Sequence, residues 1–255
     1  RADTKMTDLK GLGLRGLAGL CALAMLSTGV GAQTPPASPA PDRAAVESIV
    51  HDYLLAHPEI IPEALTALKT RQTTKLLNEN RAAIETPFGH EWEGDPHGDV
   101  TLVEFFDYNC GFCRASVPDI DRLLREDPHL KVVYREIPVL GADSDAAALV
   151  SLSLAQTKGG NWAAFHRAVY AHDEASAQNV AKAAQASGFQ TPSAKALADP
   201  ALRAQINANL SLAQKIGVDG TPGWVVGNQL IDGALGYERL KQAIAEARAA
   251  RTVNP

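Results

Sequence analysis

The chain has 255 residues, is 45% hydrophobic and 21% charged, and carries a net charge of −5. That balance is ordinary for a globular protein and argues against a nucleic-acid surface, while the length allows one large domain or a domain with an extension. Its three cysteines are too few for a disulfide framework.

The chain opens unusually. Lys10 and Arg15 precede an apolar run from Leu17 to Val30, and Val30-Gly31-Ala32 offers a small-residue cleavage site before Gln33. This is the pattern of a secretory signal peptide, placed over residues 1–32. The run is short and Gly-rich for a membrane-spanning anchor, so cleavage is the favoured reading. Cys21 lies inside the run and follows Leu20 instead of a small residue, so it does not read as a lipid-attachment cysteine. Removing the signal leaves only Cys110 and Cys113, in a protein bound for an oxidising compartment.

Residues 33–41 form a Pro/Ala/Ser linker. Asp42 caps a helix over Arg43 to Ala56, with Val46, Ile49, Val50 and Tyr53 on one face. His57-Pro58 breaks it, and a second helical segment runs from Glu59 to Glu85. Its apolar seam (Ile61, Leu65, Leu68, Leu76, Leu77) is thin and interleaved with Lys69, Arg71, Gln72 and Lys75. Such a helix cannot form a core alone; it packs along its own domain or pairs with copies of itself. Its place ahead of the domain favours self-association, so residues 42–85 are expected to be an oligomerisation extension. The catalytic domain is expected over 86–252, and Thr86 to Gly98 reads as a loop or edge strand leading into it.

Val100 to Phe106 is apolar and rich in β-branched and aromatic residues, as a buried strand should be. A short turn follows, then Cys110-Gly111-Phe112-Cys113. Cys113, Val117, Ile120 and Leu124 recur at helical spacing, with Pro118 as a kink. Cys110 therefore falls at a helix N-terminus, where free backbone N–H groups and the helix dipole favour an anion. A thiolate there has its pKa lowered from about 8.5 towards the range of roughly 3.5–7.5, and Cys113, one turn on, can close a disulfide with it. This is the chemistry of dithiol–disulfide exchange. A zinc site would need about four ligands, and no second Cys pair exists while the seven His are scattered. A static disulfide closing so small a loop would be a poor staple.

Leu130 to Val139 reads as a second strand, giving a parallel strand–helix–strand unit with the first. Residues 144–216 turn helical, punctuated by Gly188, Thr191-Pro192 and Asp199-Pro200 and stopped at Gly217. Trp162, Phe165 and His166 read as the core of this insertion. Gly220-Thr221-Pro222-Gly223 is a turn; Trp224-Val225-Val226 and Gln229-Leu230-Ile231-Asp232 form a hairpin turning at Gly227-Asn228, and a helix from Tyr237 to Ala250 closes the chain.

Phe105-Phe106-Asp107-Tyr108-Asn109-Cys110-Gly111-Phe112-Cys113, Ile137-Pro138-Val139-Leu140-Gly141 and Gly220-Thr221-Pro222 together resemble the α/β thioredoxin fold with a DsbA-like helical insertion. With the helical region ahead of it, the chain is similar to the bacterial ScsC-type (suppressor of copper sensitivity protein C) periplasmic group. That resemblance implies that Pro222 is a cis-proline facing the Cys pair, that the Thr221 backbone takes up an extended substrate and its hydroxyl lies near the thiolate, and that Glu104 sits beneath the cysteines. Strand alternation places Glu104 on one face with Leu102 and Phe106, where its raised pKa would suit it to take the proton of Cys113. The resemblance also implies a periplasmic location, protein substrates with cysteines or disulfides, a membrane thiol donor of the DsbD/ScsB type and a homo-oligomer, with a trimer favoured. No cofactor or metal is expected. Gly111-Phe112 and Thr221 look more like the disulfide isomerase/reductase branch than the strong oxidase branch, whose pattern is Pro-His between the cysteines. A DsbA-like oxidase and a Cu(I)-sequestering or holdase module remain the alternatives.

Overall fold

The computed structural model describes residues 42–253. The signal-peptide and linker expectations (residues 1–41, with Cys21) fall outside them. The chain divides into a unit ending at Tyr53 and a unit from Leu54 onward.

Helix α1 (Arg43–Ala56) begins one residue after Asp42, whose carboxylate accepts the Ala44 N–H at 3.3 Å. It buries no residue: Ile49 and Val50 are 67% and 50% exposed.

In the larger unit the expected helix from Glu59 to Glu85 is two helices, α2 (Ile60–Glu79) and α3 (Arg81–Glu85). The break is at Asn80, which leaves helical geometry at φ −112°, ψ 9° and turns its amide back onto the Leu76 carbonyl at 2.7 Å. An Asn side chain that satisfies local carbonyls competes with the helix ladder. The thin seam divides as well: Leu65 and Leu68 stay exposed, whereas Leu77 and, in α3, Ile84 are buried.

The sheet has the order β1-β3-β2-β4-β5. The central pair is β2 (Val100–Phe106) and β3 (Leu130–Glu136), which run parallel, with Glu104 opposite Tyr134. Helix α4 (Gly111–Glu126) makes the crossover. The edge strand β1 (Trp92–Gly94) pairs antiparallel with β3. On the other side β4 (Gly223–Val226) runs antiparallel to β2 and continues through Gly227-Asn228 into β5 (Gln229–Asp232). β3 ends at Glu136, short of the expected Val139, because Pro138 offers no N–H and the next two amides turn to a side chain.

Alternation along the strands builds two cores. Leu102, Phe106, Leu130, Val132, Tyr134, Trp224 and Val226 point to one face. There they meet α4, α6 (Trp162–Tyr170), α7 (Ala177–Ala186) and the final helix α10 (Gly236–Val253). Val103, Phe105, Val133 and Val225 point to the other, against Leu77, Ile84 and the Leu212 and Ile216 side chains of α9 (Pro200–Ile216). The insertion is completed by α5 (Ala142–Ala155) and the short α8 (Ala194–Leu197), and α5 packs on α9 through Ala148, Leu152, Leu202 and Ile206. Glu104 and the cysteines lie on the first face.

Candidate active site

Cys110 is the N-cap of α4. Its backbone is extended at φ −78°, ψ 114°, and its sulfur accepts the Cys113 N–H at 3.4 Å. The other wall comes from 111 residues later in the chain. β4 lies beside β2 with Gly223 opposite Phe105, so the preceding turn sits against the strand end that delivers Cys110. There the Thr221–Pro222 peptide bond is cis, and the Cys110 thiol donates to the Thr221 carbonyl at 3.2 Å. The arrangement brings Cys110, Cys113, Thr221 and Pro222 into one cluster, with Glu104 behind it.

Both cysteines are free thiols in this structure. Cys110 is 6% exposed and Cys113 fully buried. The two have opposite electrostatics. The Cys110 pKa falls to about 5, chiefly because the Cys113 thiol hydrogen-bonds to it. The Thr221 hydroxyl and the N–H groups of Cys113 and Phe112 add to this, while burial opposes it. Burial drives the Cys113 thiol far in the other direction, helped by the hydrogen bond that it gives to Cys110 and by the Glu104 carboxylate. The pair therefore has one sulfur held as a nucleophile and one held as a protonated reserve.

Glu104 is 1% exposed, between Tyr134 and Trp224 in the register, and its Oε1 has no hydrogen-bond partner. Burial, then the nearby Cys110 and Glu93, raises its pKa well above the ordinary carboxylate range. Trp162, Phe165 and His166 are all buried in the insertion, and burial with Arg167 alongside takes the His166 pKa down to about 3. His166 is neutral there and packs against Phe106, Tyr134 and Trp162.

Sequence reasoning assigned no step to Asp107 and none to Asn109, yet both hold the Cys110 turn. The Asp107 carbonyl accepts the Cys110 N–H at 3.0 Å and the Tyr170 hydroxyl at 3.0 Å. Its Oδ1 accepts the Asn109 N–H at 2.8 Å, and Oδ2 takes the N–H groups of Val139 and Leu140 at 2.8 and 2.9 Å. One carboxylate thus fixes the turn and the loop after β3 together. An Asp two residues ahead of an N–H that it accepts is an Asx turn, and that local signal was legible; the long-range partners were not. Asn109 bridges the insertion: its amide donates to Ser144 Oγ at 3.0 Å and accepts the Ala175 N–H at 2.7 Å.

The profile of the DSBA-like thioredoxin domain matches residues 101–245. The chain belongs to the DsbA-like thioredoxin family. Residues 42–73 match a second profile, the copper resistance protein ScsC N-terminal domain. Among solved structures, a linker-deletion mutant of Proteus mirabilis ScsC is 27% identical, covers 84% of this chain and 100% of its own, and superposes with a TM-score of 0.67. A thioredoxin-like oxidoreductase from Silicibacter pomeroyi is 36% identical over 67% of this chain and 98% of its own, with a TM-score of 0.62. The Wolbachia pipientis thiol-disulfide exchange protein α-DsbA2 is 25% identical over 70% of this chain and 97% of its own, at 0.63. Of curated proteins, the Salinispora tropica Na(+)/H(+) antiporter NhaA 3 is 24% identical over 164 residues, and the chain spans 25% of that protein's length.

Proposed function

We propose that this DsbA-like chain is a thiol–disulfide oxidoreductase for exported proteins, acting mainly as a disulfide isomerase/reductase through Cys110 and Cys113. The observation that carries the reading is the opposed pair of sulfurs at the α4 N-terminus, Cys110 with a pKa of about 5 beside a buried, protonated Cys113. The Cys110 thiolate attacks one sulfur of a substrate disulfide; that S–S bond breaks, the other sulfur leaves as a thiolate, and a mixed disulfide forms. Glu104, whose pKa is raised by burial and then by the Cys110 and Glu93 charges, relays a proton: it gives its own to the substrate thiolate that has left and takes that of Cys113 in its place. The Cys113 thiolate then attacks Cys110 Sγ, closing the enzyme disulfide and expelling the substrate thiolate. If a substrate thiolate resolves the mixed disulfide instead, the outcome is isomerisation. The Thr221 backbone beside cis-Pro222 provides an edge for an extended substrate, and no cofactor enters any step.

The isomerase direction is supported by Gly111-Phe112 between the cysteines and by the exposed apolar residues of α1, which suit residues 42–85 to self-association, a trimer by the ScsC likeness. The periplasm is the compartment, with a membrane thiol donor of the DsbD/ScsB type keeping the pair reduced. No helix of the described residues is long and apolar enough to cross a membrane. The test is scrambled ribonuclease. Substoichiometric protein that restores ribonuclease activity over many turnovers supports isomerisation. Oxidation of reduced substrate without reshuffling moves the assignment to a DsbA-like oxidase. Tight Cu(I) binding by the two thiolates with no turnover supports sequestration.

A further inference from the structure

On the insertion side of Cys110 lies a half-open cavity of about 240 Å³ between α5, α7 and α8. Ala146 and Val150 of α5, Ala177, Val180 and Ala181 of α7, and Ala175 just before α7 line it. No ionisable group is in its wall. Pockets that take drug-sized ligands span about 300–1,000 Å³, while an engineered apolar cavity of about 150 Å³ in another protein holds benzene. This one therefore suits a single large apolar side chain. It also connects to the cysteines: the N–H of its wall residue Ala175 is bonded to Asn109 Oδ1 at 2.7 Å, Asn109 holds Ser144 in the first turn of α5, and the next residue is Cys110.

We propose that this cavity is a substrate subsite that receives a leucine- or phenylalanine-sized side chain of the polypeptide under attack at Cys110. The proposal rests on the oxidoreductase reading above. A polypeptide held by its cysteine at Cys110 must pass over the neighbouring surface. An extended chain advances about 3.3–3.6 Å per residue, so a side chain roughly two or three positions from the substrate cysteine reaches a wall one Asn side chain away. An apolar occupant is favoured because the wall is Ala, Val and Leu carbon with the Thr191 hydroxyl as its one polar side-chain group, which leaves a polar side chain largely desolvated. The preference lets the protein select segments that a folded substrate would have buried, which are those of misfolded proteins with misplaced disulfides.

The test uses the full chain, reduced, with disulfide-linked reporter peptides that differ only in carrying leucine or serine two and three residues from the cysteine. We expect kcat/KM for the leucine peptide to exceed that for the serine peptide by about tenfold, the low end of discrimination by an apolar pocket. Ala146→Leu and Ala177→Leu, made separately, each place an isobutyl group in the cavity. The leucine-to-serine ratio, measured within each variant so that any general loss cancels, should fall towards one. Equal rates with both peptides in the parent chain, or a ratio that survives both fillings, overturns the subsite and leaves the oxidoreductase reading standing. Cleavage of neither peptide, together with no reaction with a small aromatic disulfide, overturns that reading and the subsite with it. If the fillings lower the mass in light scattering while the ratio holds, a second copy occupies the cavity and the proposal fails.

Discussion

At Cys110 a single thiolate is stabilised by four hydrogen-bond donors of this chain: the Cys113 thiol, the Thr221 hydroxyl and two backbone N–H groups. Alkylation of the reduced protein by iodoacetamide should therefore titrate with a midpoint near 5, against the roughly 8.5 of a free cysteine. Thr221→Val removes one donor to a charged sulfur and should move the midpoint up by about 1–2 pH units. A depressed thiol pKa stabilises the folded reduced form at high pH, and that contribution is lost as pH falls through about 5. The reduced protein should thus lose thermal stability through that window more than the oxidised one, which has no Cys110 thiol to titrate. Glu104 works in the opposite sense. Its raised pKa keeps it protonated when folded, so it costs stability as pH rises above the ordinary carboxylate range. Glu104→Leu should accordingly raise neutral-pH stability by about 1–3 kcal/mol, the cost of an unsatisfied buried polar group. If Glu104 takes the Cys113 proton, Glu104→Gln should slow mixed-disulfide resolution by about a hundredfold, read by quenched-flow trapping.

Between elements, proton counting orders a buried network behind the cysteines. Ser151 on α5 donates to Glu136 at the end of β3 at 2.6 Å and accepts from Trp162 Nε1 at 3.0 Å. Its one proton is used, so the Tyr108 hydroxyl, 3.1 Å away, donates to it and in turn accepts from His166 Nδ1 at 3.3 Å. Every bond then points to Glu136 as the anion. Glu91, fully buried just ahead of β1, lies near the same carboxyl, and neither of its oxygens accepts a hydrogen bond; burial, followed by the Glu136 charge, raises its pKa well above normal, so it is the protonated partner. The Arg135 charge lowers both carboxyls to a lesser degree, and its guanidinium donates to the Ala83, Ile84 and Thr86 carbonyls at the end of α3. A carboxyl held protonated in the folded state costs stability once it would ionise in the unfolded chain, so stability should fall as pH rises above the ordinary carboxylate range on this account. Glu91→Gln keeps a donor towards Glu136 and should flatten that fall in a Tm series. Glu136→Gln moves the anion to Glu91 and should be tolerated. The Gly89 turn is a simpler constraint: at φ +55° an added Cβ would stand 2.3 Å from the Ala155 carbonyl oxygen, so Gly89→Ala should cost about 1–3 kcal/mol in chemical denaturation.

For the whole molecule, the N-terminal apolar residues ask for a cover. α1 buries nothing of its own, and Ile61, Leu65 and Leu68 in the first half of α2 are also exposed. Exposed apolar residues in such number are rare on a monomer. Light scattering of the chain without residues before Leu54 should show a monomer, while the longer chain is a multimer. Monomers in both cases would remove the oligomerisation role and weigh towards the oxidase. Truncating through Glu85 is a different experiment, because it also strips Leu77 and Ile84 from the second core and should destabilise the domain by several kcal/mol, at about 2–5 kcal/mol for each large core side chain removed.

Local pattern in the sequence was enough to determine the strand of β-branched and aromatic residues, the Cys110 N-cap, the Thr-Pro turn and the hairpin at Gly227-Asn228, because each rests on neighbours within a few residues. Glu104 was legible for the same reason: period-2 alternation put it on the apolar face. Tertiary structure alone decided what crosses that distance. It set the Thr221 carbonyl against a thiol 111 residues away, gave Asp107 the loop after β3 and Asn109 the insertion, and divided the second helix between solvent and core at Asn80. It also brought Glu91 and Glu136 together, where only one of two carboxyls can stay charged, since burial raises the cost of each anion and the charge on Glu136 raises that of Glu91 further. Chain pattern carries propensity and periodicity; which distant groups share a proton, a charge or a cavity depends on packing.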